Sequence, residues 1–145
     1  MNAKTMSLVA VAIAVAGVVF LAFKDYLISS NPLGLSIQGL AFGLMLWARV
    51  TFGRRSFHAG ANPTEGEMVT RGPYRYLRHP IYAAATYFIL AGVFSHRSAD
   101  AIAVAVLVVL CLVVRILLEE QFLKAAYPDY VEYSGRTKRI IPFVF

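Results

Sequence analysis

The chain has 145 residues, 59% of them hydrophobic and only 15% charged, with a mean hydropathy of +0.63 and a net charge of +6. That balance excludes an ordinary soluble domain and indicates an all-α integral membrane helical bundle of one compact unit. The basic residues flank apolar runs instead of forming a polar tail, so the expected neighbours are membrane lipids with anionic head groups and not nucleic acid.

The first apolar run, Met6 to Phe23, follows Lys4 and contains Ala14-Val15-Ala16, which imitates a secretory cleavage site. The run continues to Phe23, so it is read as an uncleaved membrane span. Asn31-Pro32 marks a turn and opens a second run, Leu33 to Val50. Gly39 and Gly43 in that run have the spacing of close helix packing, which could serve either a dimer or the fold of the monomer, with packing inside the monomer favoured. From Gly53 to Gly72 the chain is polar and carries Gly60, Asn62-Pro63 and Gly66, which reads as a loop. The third run, Ile81 to Phe94, falls short of the roughly 20 residues that cross a hydrocarbon core. It reaches that length only if the preceding Tyr76-Leu77-Arg78-His79 turn joins it.

Ser95-His96-Arg97-Ser98 connects this run tightly to a fourth, Ala99 to Leu118, so spans three and four are expected to form a hairpin. Tyr127-Pro128-Asp129 ends the fourth helix, and DYVEYSGR is expected to lie on the membrane surface as a short amphipathic helix. The whole reads as a single domain, residues 1–145, with about four transmembrane helices: an N-terminal helical pair (1–52), a loop (53–72) and a C-terminal core (73–145). Arg49, Arg54, Arg55, Arg71, Arg75 and Arg78 lie between spans two and three, and Lys124, Arg136, Lys138 and Arg139 follow span four. Only Lys24 and Arg97 mark the other side, so both termini, the loop and the C-terminal helix are expected in the cytosol of a multi-pass protein.

Polar chemistry gathers in GPYRYLRHPIY, Gly72 to Tyr82. Tyrosines and arginines at a membrane interface need no further role than that of an anchoring belt. Pro80, however, suits the first turn of a helix, where a missing N–H costs nothing. Span three then starts at the motif, with unpaired N–H groups and a positive dipole end beside Tyr74, His79 and Tyr82. In span four the apolar run from Ala101 is broken by RILLEE, where Arg115 and Glu119 share a helix face four residues apart. A local ion pair with Arg115 snorkelling to head groups would account for this, but ionisable groups at such depth usually face the protein interior or a watery cavity. The hairpin should bring Tyr74, His79 and Tyr82 near Arg115, Glu119 and Glu120, at a place polar toward the cytosol and apolar toward the bilayer. Such a place suits a reaction between a soluble cofactor and a lipid-borne acceptor. Cys111 is the single cysteine, which excludes a disulfide framework, and His58, His79 and His96 are too scattered to suggest a metal site.

GPYRYLRHPIY, RILLEE and YPDYVEYSGRTKRIIP occur in order over Gly66 to Pro142. Together they resemble the C-terminal region of the isoprenylcysteine carboxyl methyltransferase and phospholipid methyltransferase superfamily of integral membrane enzymes. The resemblance implies transfer of a methyl group from S-adenosylmethionine, leaving S-adenosylhomocysteine, to a lipophilic small-molecule or lipid-anchored acceptor at the cytosolic interface. It implies a cofactor pocket formed by Glu67, Met68, Val69, Tyr74, His79, Pro80 and Tyr82 and closed by Glu119, with Arg115 at the acceptor. Family members often carry a polar residue, frequently histidine, where this chain has Gly66.

Carboxylates suit the ammonium and hydroxyl groups of such a cofactor, and helix-end N–H groups with His79 suit its carboxylate. Arg115 would grip a carboxylate or phosphate bidentately. A carboxylate acceptor, favoured by the RILLEE spacing, needs no base, whereas a lipid amine would need one, with Glu120 or Tyr82 as candidates. Two other classes remain: a non-catalytic binding or assembly subunit retaining the fold, and a small transporter. The transporter ranks last, because spans one and two offer only Gln38 and a few serines.

Overall fold

The computed structural model describes residues 2–53 and 68–141. Helix α1 (Ala3–Phe23) begins where the Asn2 side chain accepts from the Thr5 N–H at 2.8 Å, and α2 (Pro32–Phe52) where Asn31 accepts from the Gly34 N–H at 2.8 Å. A short 3-10 turn, Gly72–Arg75, precedes α3 (Pro80–His96), which opens on its proline. Helix α4 (Ala99–Ala126) follows after Arg97 and Ser98 alone, with Arg97 turning the chain in the left-handed region at φ 54°. Ser95 and His96, expected in the connection, are therefore the last residues of α3. Helix α5 (Tyr130–Arg136) follows the Tyr127-Pro128-Asp129 break.

Helices α1, α2 and α4 are long and apolar enough to cross a membrane, whereas α3 has 17 residues. At 1.5 Å per residue α3 is about 25 Å long, against a hydrocarbon core of about 30 Å. The turn before it does not lengthen it, because its backbone is committed elsewhere. Leu77 and Lys138 pair as a parallel β-bridge, the Arg78 N–H donates to the Lys138 carbonyl at 2.6 Å, and the His79 N–H donates to the Arg139 carbonyl at 3.1 Å.

Each of the first two helices finds its partner in the C-terminal half. Helix α1 runs antiparallel to α4 and buries Ser7, Ala10, Ala14, Gly17 and Leu21. Ala101, Ala105, Val108 and Cys111 of α4 and Ile89 and Val93 of α3 complete that core. In lipid, apolar burial alone drives little association, so small residues that let backbones approach are what hold such pairs. Gly17 is one: a Cβ there would lie 2.5 Å from Val108 Cγ2.

Helix α2 packs antiparallel on α3. The buried Gln38 carboxamide accepts from the Ser29 N–H at 3.0 Å and donates to the carbonyls of Leu27 at 2.7 Å and Phe88 at 3.0 Å. One side chain thus ties the first loop to α3. The glycines that permit close approach are Gly34 and Gly92, whose Cβ atoms would fall 2.1 Å from Ser29 Oγ and from the Leu27 carbonyl oxygen, respectively. Gly39 and Gly43 do not serve this packing: among the described residues nothing lies within 4 Å of a Cβ at either. Helix α5 is amphipathic, and the face it covers is turned to the protein. Its Tyr130 and Tyr133 are buried in the protein, and the Tyr133 hydroxyl donates to the Tyr74 carbonyl at 2.7 Å.

The packing separates two glycine substitutions. Gly92→Ala drives a methyl group into a backbone oxygen that has no rotamer to change, which should cost about 1–3 kcal/mol. Gly39→Ala meets open space and should leave stability unchanged or slightly raised. Thermal unfolding in detergent reads the difference, and equal melting temperatures for the two variants would contradict the α3 packing described here.

Candidate active site

The first turn of α3 and the last third of α4 meet at one end of the bundle. Along α4, Arg115 and Glu119 share a face, and Tyr82 of α3 stands opposite them. The Tyr82 hydroxyl donates to Glu119 Oε1 at 2.9 Å and accepts from Arg115 Nε. Arg115 Nη2 lies 3.6 Å from Glu119 Oε1, Nη1 donates to Ser7 Oγ of α1 at 3.2 Å, and the guanidinium carbon stands 5.8 Å from the Tyr82 ring centroid. Three helices thus hold one buried guanidinium. An ion removed from water costs several kcal/mol unless it is paired and hydrogen-bonded; here Nε and Nη1 donate and Nη2 faces Glu119 at ion-pair distance.

His79 joins this group to a second one. Its Nδ1 lies 3.7 Å from Glu119 Oε2 and its Nε2 3.5 Å from Glu120 Oε1, so the ring is set between consecutive carboxylates. Glu120 belongs to a different neighbourhood from Glu119. Arg78 Nε donates to its Oε1 at 3.0 Å, and Arg139 donates to both oxygens, the shortest contact being 2.9 Å from Nη2 to Oε2. Arg78 Nη1 also donates to the carbonyls of Ser134 and Thr137. The carboxylate expected as a possible base is therefore a buried anchor for two arginines and the C-terminal segment. Glu119, with 22% of its side chain accessible, is the carboxylate of the pair that reaches outward.

Pro80 is the buried first residue of α3, and the His79 ring packs beside Tyr82 with centroids 5.7 Å apart. Tyr74 is buried at the edge of the cluster, its ring 5.4 Å from that of Phe52. Burial and the nearby Tyr133 raise its hydroxyl above the usual tyrosine range. Burial likewise pushes Tyr133 up to about 12, so it remains a proton donor to the Tyr74 carbonyl. Gly72 adopts φ +59° against the end of α2, where a Cβ would lie 2.7 Å from Thr51 Oγ1. Met68 and Val69 are half-buried in the segment leading to that turn, and Glu67 lies outside the described residues.

The donor set suits S-adenosylmethionine. Glu119 offers a partly open carboxylate for an ammonium or a ribose. His79 Nε2 faces the buried Glu120, so the ring nitrogen on the side of the partly open carboxylate is Nδ1, 3.7 Å from Glu119 Oε2. Three residues at this place were not expected from sequence. Arg78 and Arg139 had been counted only as positive charge flanking spans, and the hydroxyl of Ser7 is one polar group in an apolar run. The recurrence of Ser7, Ala10, Ala14 and Gly17 on one face of α1 is the single signal that could have marked Ser7.

The phospholipid methyltransferase family profile matches residues 29–130, which takes in α2, α3, α4 and the motif between them. The chain is also similar to the cobalt-zinc-cadmium resistance protein CzcN of Cupriavidus metallidurans, at 34% identity over 76 residues, 52% of this chain and 35% of that protein. The chain thus spans only about a third of the length of that curated relative. No solved structure matches the chain. With well over half of the chain inside the profile, and the matched helices building the cluster at one membrane end, the chain belongs to the phospholipid methyltransferase family of integral membrane methyltransferases.

Proposed function

We propose that this chain is an S-adenosylmethionine-dependent methyltransferase acting on a lipophilic acceptor at the cytosolic face of a membrane, with a carboxylate acceptor favoured. The observation that carries the reading is the convergence of His79, Tyr82, Arg115 and Glu119, from segments of the chain 33 to 40 residues apart, into one cluster of hydrogen bonds and ion contacts. A buried arginine beside a partly open carboxylate supports an enzyme over a subunit that serves assembly alone.

S-adenosylmethionine, when bound, supplies a methyl carbon made electrophilic by its sulfonium. Glu119, with Glu67, Met68, Val69, Tyr74, His79, Pro80 and Tyr82, would hold it, the carboxylate taking its cationic or hydroxyl groups and the start of α3 its carboxylate. Arg115 would orient the acceptor, since a guanidinium fixed in plane by Ser7, Tyr82 and Glu119 presents its remaining donors in a set direction. Orientation and exclusion of water then supply the rate, because methyl transfer needs in-line approach more than covalent help.

The family profile's own description supports a second reading, an amine of a phospholipid as acceptor. That reaction must dispose of a proton. Glu120 is badly placed for it, engaged as it is with Arg78 and Arg139. Tyr82, hydrogen-bonded to Glu119, is the better route out.

Three variants test the assignment. Glu119→Ala should weaken S-adenosylhomocysteine binding at least about tenfold by calorimetric titration, the loss of one charge-assisted contact. Undiminished binding removes Glu119 from the pocket. Arg115→Lys should keep that affinity and lose roughly 10²-fold in turnover with labelled cofactor and prenylcysteine or phosphatidylethanolamine acceptors, as for other lost transition-state donors; the reverse pattern means its role is misassigned. Glu120→Gln should leave cofactor affinity within a few-fold yet lower stability by about 3 kcal/mol, the cost of breaking a buried ion pair. A stable variant without affinity would instead move Glu120 into the pocket.

A further inference from the structure

Helices α3 and α4 are joined by a tight connection, yet neither is the other's main partner. Helix α3 packs chiefly on α2, and α4 chiefly on α1. The cluster around Arg115 and Tyr82 therefore lies on the seam between two helix pairs, a place where helical bundles hold ligands.

One stripe of α3 runs along that seam. Tyr82, Thr86, Ile89 and Val93 follow one another at helical spacing and share a face. Both ends of the stripe are fixed by contact: Tyr82 meets Arg115 and Glu119, while Ile89 and Val93 lie in one core with Ala101, Ala105 and Val108 of α4. Thr86 stands between them, so it faces the same seam one turn deeper than Tyr82.

The hydroxyl of Thr86 has no use in the free protein. Only 5% of the residue is accessible, and Oγ1 makes no hydrogen bond among the described residues. Two other buried polar atoms share that condition, but His79 Nε2 faces Glu120 at 3.5 Å and the Tyr130 hydroxyl belongs to α5. A buried hydroxyl without a partner is destabilising, and valine would fill nearly the same shape without that burden.

We infer that Thr86 is a specificity residue for the acceptor, its hydroxyl donating to the anionic oxygen that Arg115 orients. The inference rests on the methyltransferase reading and deepens it. The acceptor head sits on the seam, held by a guanidinium from α4 and a hydroxyl from α3. A carboxylate and a phosphate present the same oxygen chemistry to that pair. Because the hydroxyl gains its partner only when the acceptor arrives, the contact favours heads that carry the oxygen over heads that lack it.

The test uses the full chain in lipid vesicles with labelled cofactor. N-acetyl-S-farnesylcysteine offers a carboxylate and phosphatidylethanolamine a phosphate, so the accepted head identifies which oxygen the pair holds. With that acceptor, Thr86→Val should lose about tenfold or more in kcat/KM, the size of one hydrogen bond to a charged group, whereas Thr86→Ser, which keeps the hydroxyl, should stay within about threefold of the wild type. Calorimetric titration should show S-adenosylhomocysteine affinity unchanged in both variants. Thr86→Val should also melt no lower than the wild type in detergent, since it removes an unmet polar group.

Four results would each overturn the inference: unchanged kcat/KM in Thr86→Val, equal losses in the valine and serine variants, lost cofactor-product affinity, or a lowered melting temperature in Thr86→Val, which means that the hydroxyl already has a partner in the folded protein. All four leave the methyltransferase reading standing. No labelled product from the wild-type chain with either acceptor overturns that reading, and the acceptor role of Thr86 with it.

Discussion

A guanidinium buried in an apolar bundle is the constraint around which this protein is organised. Arg115 sits with only 6% of its surface accessible, at a depth where water cannot solvate it. Its charge has to be met by protein atoms, and these come from three helices: Ser7 of α1, Tyr82 of α3 and Glu119 one turn further along α4. The demand fixes register. A slip of one residue in α1 against α4 would take Ser7 out of reach and also push Gly17 off Val108, so the polar contact and the close packing select the same alignment.

A second set of charges fastens the motif from the other direction. Glu120 gathers Arg78 and Arg139, and Arg78 in turn holds the carbonyls that end α5. Backbone pairing of Leu77 with Lys138 and of His79 with Arg139 places the tail alongside the residues that open α3. His79 lies where the two groups meet, one ring nitrogen toward each glutamate. The start of a transmembrane helix is ordinarily its loosest turn. Here it is clamped from both sides, as the proposed site for orienting two reactants would require.

Much of this was legible in the residues. The apolar runs set the helices, Pro80 set the start of α3, and the four-residue spacing of Arg115 and Glu119 set a shared face; a tight connection then left α3 and α4 little choice but to meet. What sequence could not disclose depends on which side of a helix is covered. Gly39 and Gly43 have the right spacing for close packing but face outward, while Gly34 and Gly92, less conspicuous as a pattern, lie where backbones touch. Ser7 contacts a residue 108 positions away, and no local rule marks one serine in an apolar run for that use. Arg78 and Arg139 read as part of a positive-inside bias because charge counting is blind to tertiary partners. The length of α3 stayed open for a related reason: the backbone that would have extended it is paired with a segment about sixty residues later.

That shortness has a consequence for the surrounding lipid. Helices of 21, 21 and 28 residues flank one of 17, so the apolar girdle is lower at α3 than elsewhere. Lipids beside a short segment thin to match it, at a cost of fractions of a kcal/mol per Å of mismatch. On the methyltransferase reading proposed above, such thinning would bring phosphate and glycerol groups closer to His79 and Tyr82 and meet a membrane-borne reactant at the height of its own leaflet.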